Sequence, residues 1–103
     1  MFTKFVFPTV GPGMVVFNQP MNTLTSITIS WATPSSDNGV VVEYVIQSTN
    51  NGTSTTENTT EVMYVLEDLI PSTRVEFSVS AVSICGLVGE PSNATEHTDN
   101  IRK

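Results

Sequence analysis

Thr25-Ser26-Ile27-Thr28-Ile29-Ser30-Trp31 is the stretch that decides the fold. Ile27, Ile29 and Trp31 share one parity, and Ser26, Thr28 and Ser30 share the other. That alternation is the mark of a β-strand with one buried face, and Trp31 is the largest side chain the strand could bury. Outward from it the same grammar recurs. The run Val40 to Gln47 aligns Val42, Tyr44 and Ile46, with Val41 and Val45 on the other parity, so its outer face also carries apolar side chains. Glu61 to Leu66 aligns Val62, Tyr64 and Leu66. The longest run sets Val75, Phe77, Val79 and Ala81 against Arg74, Glu76, Ser78 and Ser80. Met14 to Phe17 is expected as the first strand. Asn93 to Thr98 is expected as a polar last strand, tolerable at a sheet edge where fewer neighbours cover it. Thr49 to Thr60 holds no core residue and is expected to give at most a short edge strand flanked by loops.

Turn signals separate these runs: Gly11-Pro12-Gly13, Asn18-Gln19-Pro20, Pro34 to Gly39, Asn50-Asn51-Gly52, Pro71-Ser72 and Gly86 to Pro91. No sustained period of 3.6 residues appears. Short strands punctuated in this way predict an all-β sandwich or barrel. A chain of 103 residues holds one domain and can bury one core without disulfides. Its single cysteine, Cys85, rules out an internal bridge.

Charge narrows the functional classes. The net charge is −6, and Lys4, Arg74, Arg102 and Lys103 are the only basic side chains. Nucleic acid is bound largely by neutralising phosphates, and anionic lipid attracts basic segments, so neither is an expected partner. No apolar run reaches membrane-spanning length. Phe2, Phe5, Val6 and Phe7 are interrupted by Pro8, which is too short for a signal-peptide core. Charged residues amount to 14%, with Ser and Thr filling much of the surface. Such a surface suits a secreted or cell-surface β protein.

The order of several residues resembles the fibronectin type III domain family. Trp31 closes the second strand. Pro34, Asp37-Asn38-Gly39 and Tyr44 follow in the family's order. Tyr64, Leu66, Leu69, Pro71 and Thr73 resemble the family's turn into its long penultimate strand, which Phe77, Val79 and Ala81 continue. Gly86, Gly89 and Ser92 resemble the loop and start of its last strand. The resemblance implies a two-sheet antiparallel immunoglobulin-like β-sandwich of about seven strands. It places the domain at residues 12–99, with 1–11 a linker or the end of a preceding segment and 100–103 a tail. The expected structural core is Trp31, Tyr44, Tyr64, Leu66, Leu69, Pro71, Phe77 and Val79. One departure stands out. The family usually has a tyrosine where this chain has Val75, and that hydroxyl bonds back to the backbone at the corner. The corner is therefore expected to rest on packing around Leu69 and Pro71, and Val75→Tyr is expected to be tolerated.

Chemistry is sparse. A nucleophile–base pair would need Cys85 or a serine beside His97, the only histidine; the blander reading is an exposed edge histidine and an ordinary thiol. Asp37, Glu43, Glu57, Glu61, Glu67, Asp68, Glu90, Glu96 and Asp99 follow no metal-ligand spacing, so neither a metal nor a cofactor is expected, and no enzymatic activity. Asn51-Gly52-Thr53, Asn58-Thr59-Thr60 and Asn93-Ala94-Thr95 match the N-glycosylation pattern. With 8 Asn and 26 Ser plus Thr, chance alone produces about two such matches, so Asn51, Asn58 and Asn93 permit secretion without establishing it. Cys85 has two readings: a half-buried small hydrophobe, or an intermolecular thiol. Leu87 and Val88, between two glycines, either contact a partner or tuck against the core's end.

The expected role is a non-catalytic extracellular spacer, adhesion or protein-interaction module of a larger cell-surface or secreted protein. It is expected to be monomeric in isolation and to meet a protein partner or neighbouring repeats. The alternatives are an accessory spacer of a secreted enzyme such as a polysaccharide hydrolase, or a ligand-binding receptor ectodomain module.

Overall fold

The computed structural model describes residues 11–34, 40–50 and 52–99. The expectations for residues 1–10, for Asp37-Asn38-Gly39, for Asn51 and for 100–103 lie outside the described residues. Eight strands run in chain order: β1 (Val16–Phe17), β2 (Met21–Asn22), β3 (Ile27–Ala32), β4 (Val41–Asn50), β5 (Thr53–Thr59), β6 (Met63–Leu66), β7 (Arg74–Ser83) and β8 (Ser92–His97). They form two antiparallel sheets. In the first, β1 and β2 pair in succession along one edge of β3, and β6 pairs with the other. The second has the order β5-β4-β7-β8.

The count exceeds the expected seven because the first strand is split. Pro20 lies between β1 and β2, and proline cannot donate to a ladder. The hairpin after Gln47 also differs from expectation. β4 continues to Asn50, and β5 pairs with it over seven residues, from Tyr44↔Thr59 to Asn50↔Thr53. Gly52 at φ 80 supplies the left-handed turn residue between them. Threonine suits the pleated backbone even without an apolar face, which lets this polar edge form.

Register fixes the core. Ile27, Ile29 and Trp31 of β3 face Tyr44 and Ile46 of β4 and Val75, Phe77, Val79 and Ala81 of β7, all buried. Tyr64 and Leu66 are half-buried against this cluster, Leu69 is buried, and Pro71 is half-buried at the corner. Trp31 packs edge-on to Tyr44 at 5.3 Å and to Phe17 at 6.4 Å between ring centres. Its indole Nε1 is buried with no acceptor among the described residues, which costs about 1–3 kcal/mol. Burying about 150–250 Å² of ring contributes roughly 4–6 kcal/mol at 25 cal/mol per Å², so packing prevails.

The β6–β7 corner is not held by packing alone. The Ile70 carbonyl accepts hydrogen bonds from the Thr73 hydroxyl at 2.6 Å and the Thr98 hydroxyl at 2.8 Å. The Thr98 oxygen in turn accepts the Thr73 N–H at 2.7 Å, and the Thr98 N–H donates to the Thr73 carbonyl. Two threonine hydroxyls thus occupy the role that a tyrosine hydroxyl fills in related corners. Asp68 and Ser72 adopt left-handed backbone, φ 62 and 60, within this corner. Hydrogen bonds from Leu69 N–H to the Thr25 carbonyl and from Ser72 N–H to the Asp99 carbonyl hold it there.

At the opposite end the chain makes a close backbone crossing. A Cβ on Gly11 would collide with the backbone of Val88, and one on Gly89 with the Pro12 carbonyl. Only glycine permits that approach. Gly11, placed in the linker by the sequence, already packs against the β7–β8 connection.

Candidate functional site

Three surfaces carry the candidate residues. The first is the outer face of the β5-β4-β7-β8 sheet. Residues of β5 and β8 whose neighbours face the core point outward here, so Asn58 lies opposite Val45 and Asn93 opposite Ser78. Both asparagines are exposed, as are the third residues of their triplets, Thr60 and Thr95. Asn58 donates a long hydrogen bond to Glu43 at 3.3 Å. Around them the face is mostly polar, with Gln47, Thr56, Ser78 and Ser80, the charged Glu43, Arg74 and Glu76, and half-buried Val45.

The second is the β7–β8 connection. The Gly86 N–H bonds the Ser83 carbonyl at 2.8 Å, and Gly86 takes φ 85 to close the turn. Cys85 is exposed at its tip, against the half-buried reading. Leu87 is half-buried; its carbonyl accepts the Ser83 N–H and its N–H reaches the Ser83 hydroxyl. Val88 is 58% exposed and bridges Val82. Leu87 and Val88 therefore part company: one is pinned into the hairpin and the other faces solvent. Ile84, 69% exposed, donates its N–H to the Val40 carbonyl and so brings exposed Val40 alongside.

The third is an open groove of about 620 Å³ between the β4–β5 turn and the β6–β7 corner. Thr49, Asn50, Asp68, Ile70 and Thr73 line it, with Arg74 paired to Glu76 at 3.5 Å. Its wall is solvent-open and mixes hydrogen-bonding side chains with the apolar Leu69 and Ile70.

Cys85 and His97 are not brought together. His97 pairs with Arg74 at one end of β7, while Cys85 follows Ser83 at the other. Nine residue steps along β7 separate those ends by roughly 30 Å, so the thiol and imidazole cannot act as nucleophile and base. Among the described residues no three His, Cys, Asp or Glu side chains converge as a metal site would need. The carboxylates are spread over both ends and several strands.

One titratable group is strongly perturbed. Tyr64 is pushed up to about 12, first by burial, then by donating its hydroxyl to Glu57 and by that carboxylate's charge, with a smaller opposing effect from Ser48. Glu57 lies on β5 and Tyr64 on β6, so this hydrogen bond ties the two sheets across the open edge of the sandwich. The ring stacks edge-on to Phe77 at 6.5 Å. The hydrogen bond to Glu57 closes that edge of the sandwich. Sequence alone gave Tyr64 as an inward aromatic; its partner came from a polar strand with no apolar signal.

Comparison with known proteins agrees with this architecture. No curated protein matches the chain. Domains d3-d4 of the rat CD45 extracellular region superpose with a TM-score of 0.76 at 22% identity, covering 95% of this chain and 61% of that one. This chain thus spans less than two thirds of that structure's length. The sixth fibronectin type III domain of human fibronectin type III domain containing protein 3 gives 0.76 at 21% identity, with 92% of each chain covered. The twitchin kinase region of C. elegans gives 0.71 at 18% identity, covering 90% of this chain and 18% of that one. At these identities the likeness is one of fold. The family model of the fibronectin type III domain matches residues 15–98, from the residue before β1 to the threonine that locks the corner. The chain belongs to the fibronectin type III family, whose members are modules of larger multidomain proteins.

Proposed function

We propose that this module is a non-catalytic extracellular unit, serving as a spacer or protein-interaction element of a cell-surface or secreted protein. The observation that carries the reading is the placement of Asn58 and Asn93. Asn58 and Asn93 both lie on strands, yet both face solvent on the same outer sheet face, as attachment of a glycan requires. A second support is Cys85, exposed at a hairpin tip, where an oxidising compartment would allow pairing with another domain or chain. The likeness to a structure described as an extracellular region points the same way.

The test is intact mass of the protein, expressed with its flanking sequence through a eukaryotic secretory pathway, before and after glycosidase and reductant. Glycan mass lost on Asn58→Gln or Asn93→Gln is the expected result. Secreted, folded and unmodified protein would remove the observation on which the extracellular reading rests.

A further inference from the structure

We propose that the outer face of the β1/β2–β3–β6 sheet is a docking surface for a protein partner with an apolar centre rimmed by Lys or Arg. The register builds this face. Met21, Thr28 and Val65 form one cross-strand row, Ser30 and Met63 the next, and Val16 lies opposite Ala32 at the end. Their core-facing neighbours are Ile27, Ile29 and Trp31, so all of these side chains point outward. Exposure is high: Met21 72%, Val16 69%, Met63 52% and Val65 39%. Single exposed apolar residues are ordinary, but four gathered around Thr28 and Ser30 on one sheet face mark a contact surface. Two methionines also give the strip side chains that adapt to a facing surface. The other sheet's outer face is mostly polar and charged and carries Asn58 and Asn93, so glycans there would leave this strip bare.

Charge identifies the occupant. No charged residue lies in the strip, but exposed Glu61 precedes β6 and exposed Glu67 and Asp68 follow it. Among the described residues nine carboxylates face one guanidinium, and that of Arg74 is paired to Glu76. A basic rim would meet the carboxylates that bracket β6, and complementarity of this kind sets partner choice and encounter rate. A second copy of the chain fits poorly. It would bring like charge to like charge. The inference does not depend on the compartment in which the protein works.

The probe is a synthetic ten-residue peptide of alternating Leu and Lys, titrated into isotope-labelled protein while methyl resonances are followed. Shifts are expected at Met21, Met63, Val16 and Val65. Ile70, Ile84 and Val88, equally exposed but outside the strip, should be unmoved. Affinity should fall at least tenfold in Met63→Ser with Val65→Thr, whose thermal melt checks the fold, and several-fold between 50 and 500 mM salt. Peptides with Ser for Leu, or Glu for Lys, should not bind. Equal shifts at Ile70, Ile84 and Val88, or equal binding of the Ser–Lys peptide, would overturn the proposal. So would concentration-dependent broadening of Met21 and Met63 in protein alone, which would make a second copy the occupant. The wild-type titration decides the matter even if the double variant fails to fold.

Discussion

Thr98→Val tests the hydroxyl-bonded corner directly. Thr98 is 2% exposed, and valine keeps its shape while deleting the oxygen. Two hydrogen bonds go: the one accepted from the Thr73 N–H at 2.7 Å and the one donated to the Ile70 carbonyl at 2.8 Å. The Ile70 carbonyl keeps the Thr73 hydroxyl, so it stays satisfied. The Thr73 N–H loses its side-chain acceptor in a half-buried corner, and a stranded donor costs about 1–3 kcal/mol. A loss of about 2 kcal/mol is expected. In urea, with a slope of about 1–2 kcal/mol per M, the midpoint should fall by roughly 1–2 M; on heating, Tm should fall by about 8–15 °C. Thr98→Ser retains the hydroxyl and should lose less than half as much. Thr95→Val, on the exposed outer face of β8, should stay within about 0.5 kcal/mol of the parent. Equal losses for Thr98→Val and Thr98→Ser would mean that the methyl group, not the hydroxyl, secures the corner, and the reasoning would fail.

Three further outcomes are expected. Val75→Tyr should destabilise by about 1–3 kcal/mol in urea unfolding, contrary to the sequence expectation, because Val75 is fully buried and the corner acceptor is already taken; a gain in stability would show that the corner has room. Trp31→Ala should cost about 3–5 kcal/mol by the same assay, since it empties the space between Phe17 and Tyr44, and a loss under about 1 kcal/mol would remove Trp31 from the core. Tyr64 titrates near 10 in the unfolded chain and near 12 when folded, so the folded state holds its proton longer and stability should decline between those pH values. Tyr64→Phe should flatten that decline, measured as the urea midpoint against pH.

The strands that matter most to the core were readable because their signal is local. Ile27-Thr28-Ile29-Ser30-Trp31 and Val75 to Ala81 each announce a buried face within a few residues. β5 was only partly readable: its seven residues are polar on both parities, and what makes it a strand is the ladder to β4. The corner was misread for a different reason. Thr73 and Thr98 are 25 positions apart, and neither hydroxyl has meaning until β7 and β8 pair. The apolar strip was invisible for the same cause, since Val16, Met21, Met63 and Val65 come from three separate stretches of chain, and each looks incidental alone. Cys85 and His97 flank the last loop and the last strand in the sequence, yet antiparallel pairing sends them to opposite ends of β7.

The Gly11–Gly89 crossing has a mechanical consequence. The incoming chain passes against the β7–β8 connection, and the Ser92 hydroxyl then grips the Val15 carbonyl at 2.6 Å, all before β1 joins the first sheet. The outgoing chain does the converse: Asp99 leaves β8 of the second sheet and donates its N–H to the Thr23 carbonyl, between two strands of the first. At residues 11–15 and at Asp99 the chain is thus clasped by the sheet to which the adjoining strand does not belong. A pull at either point is shared at once by both layers, and at Val15 it must shear a buried hydrogen bond before β1 can unzip.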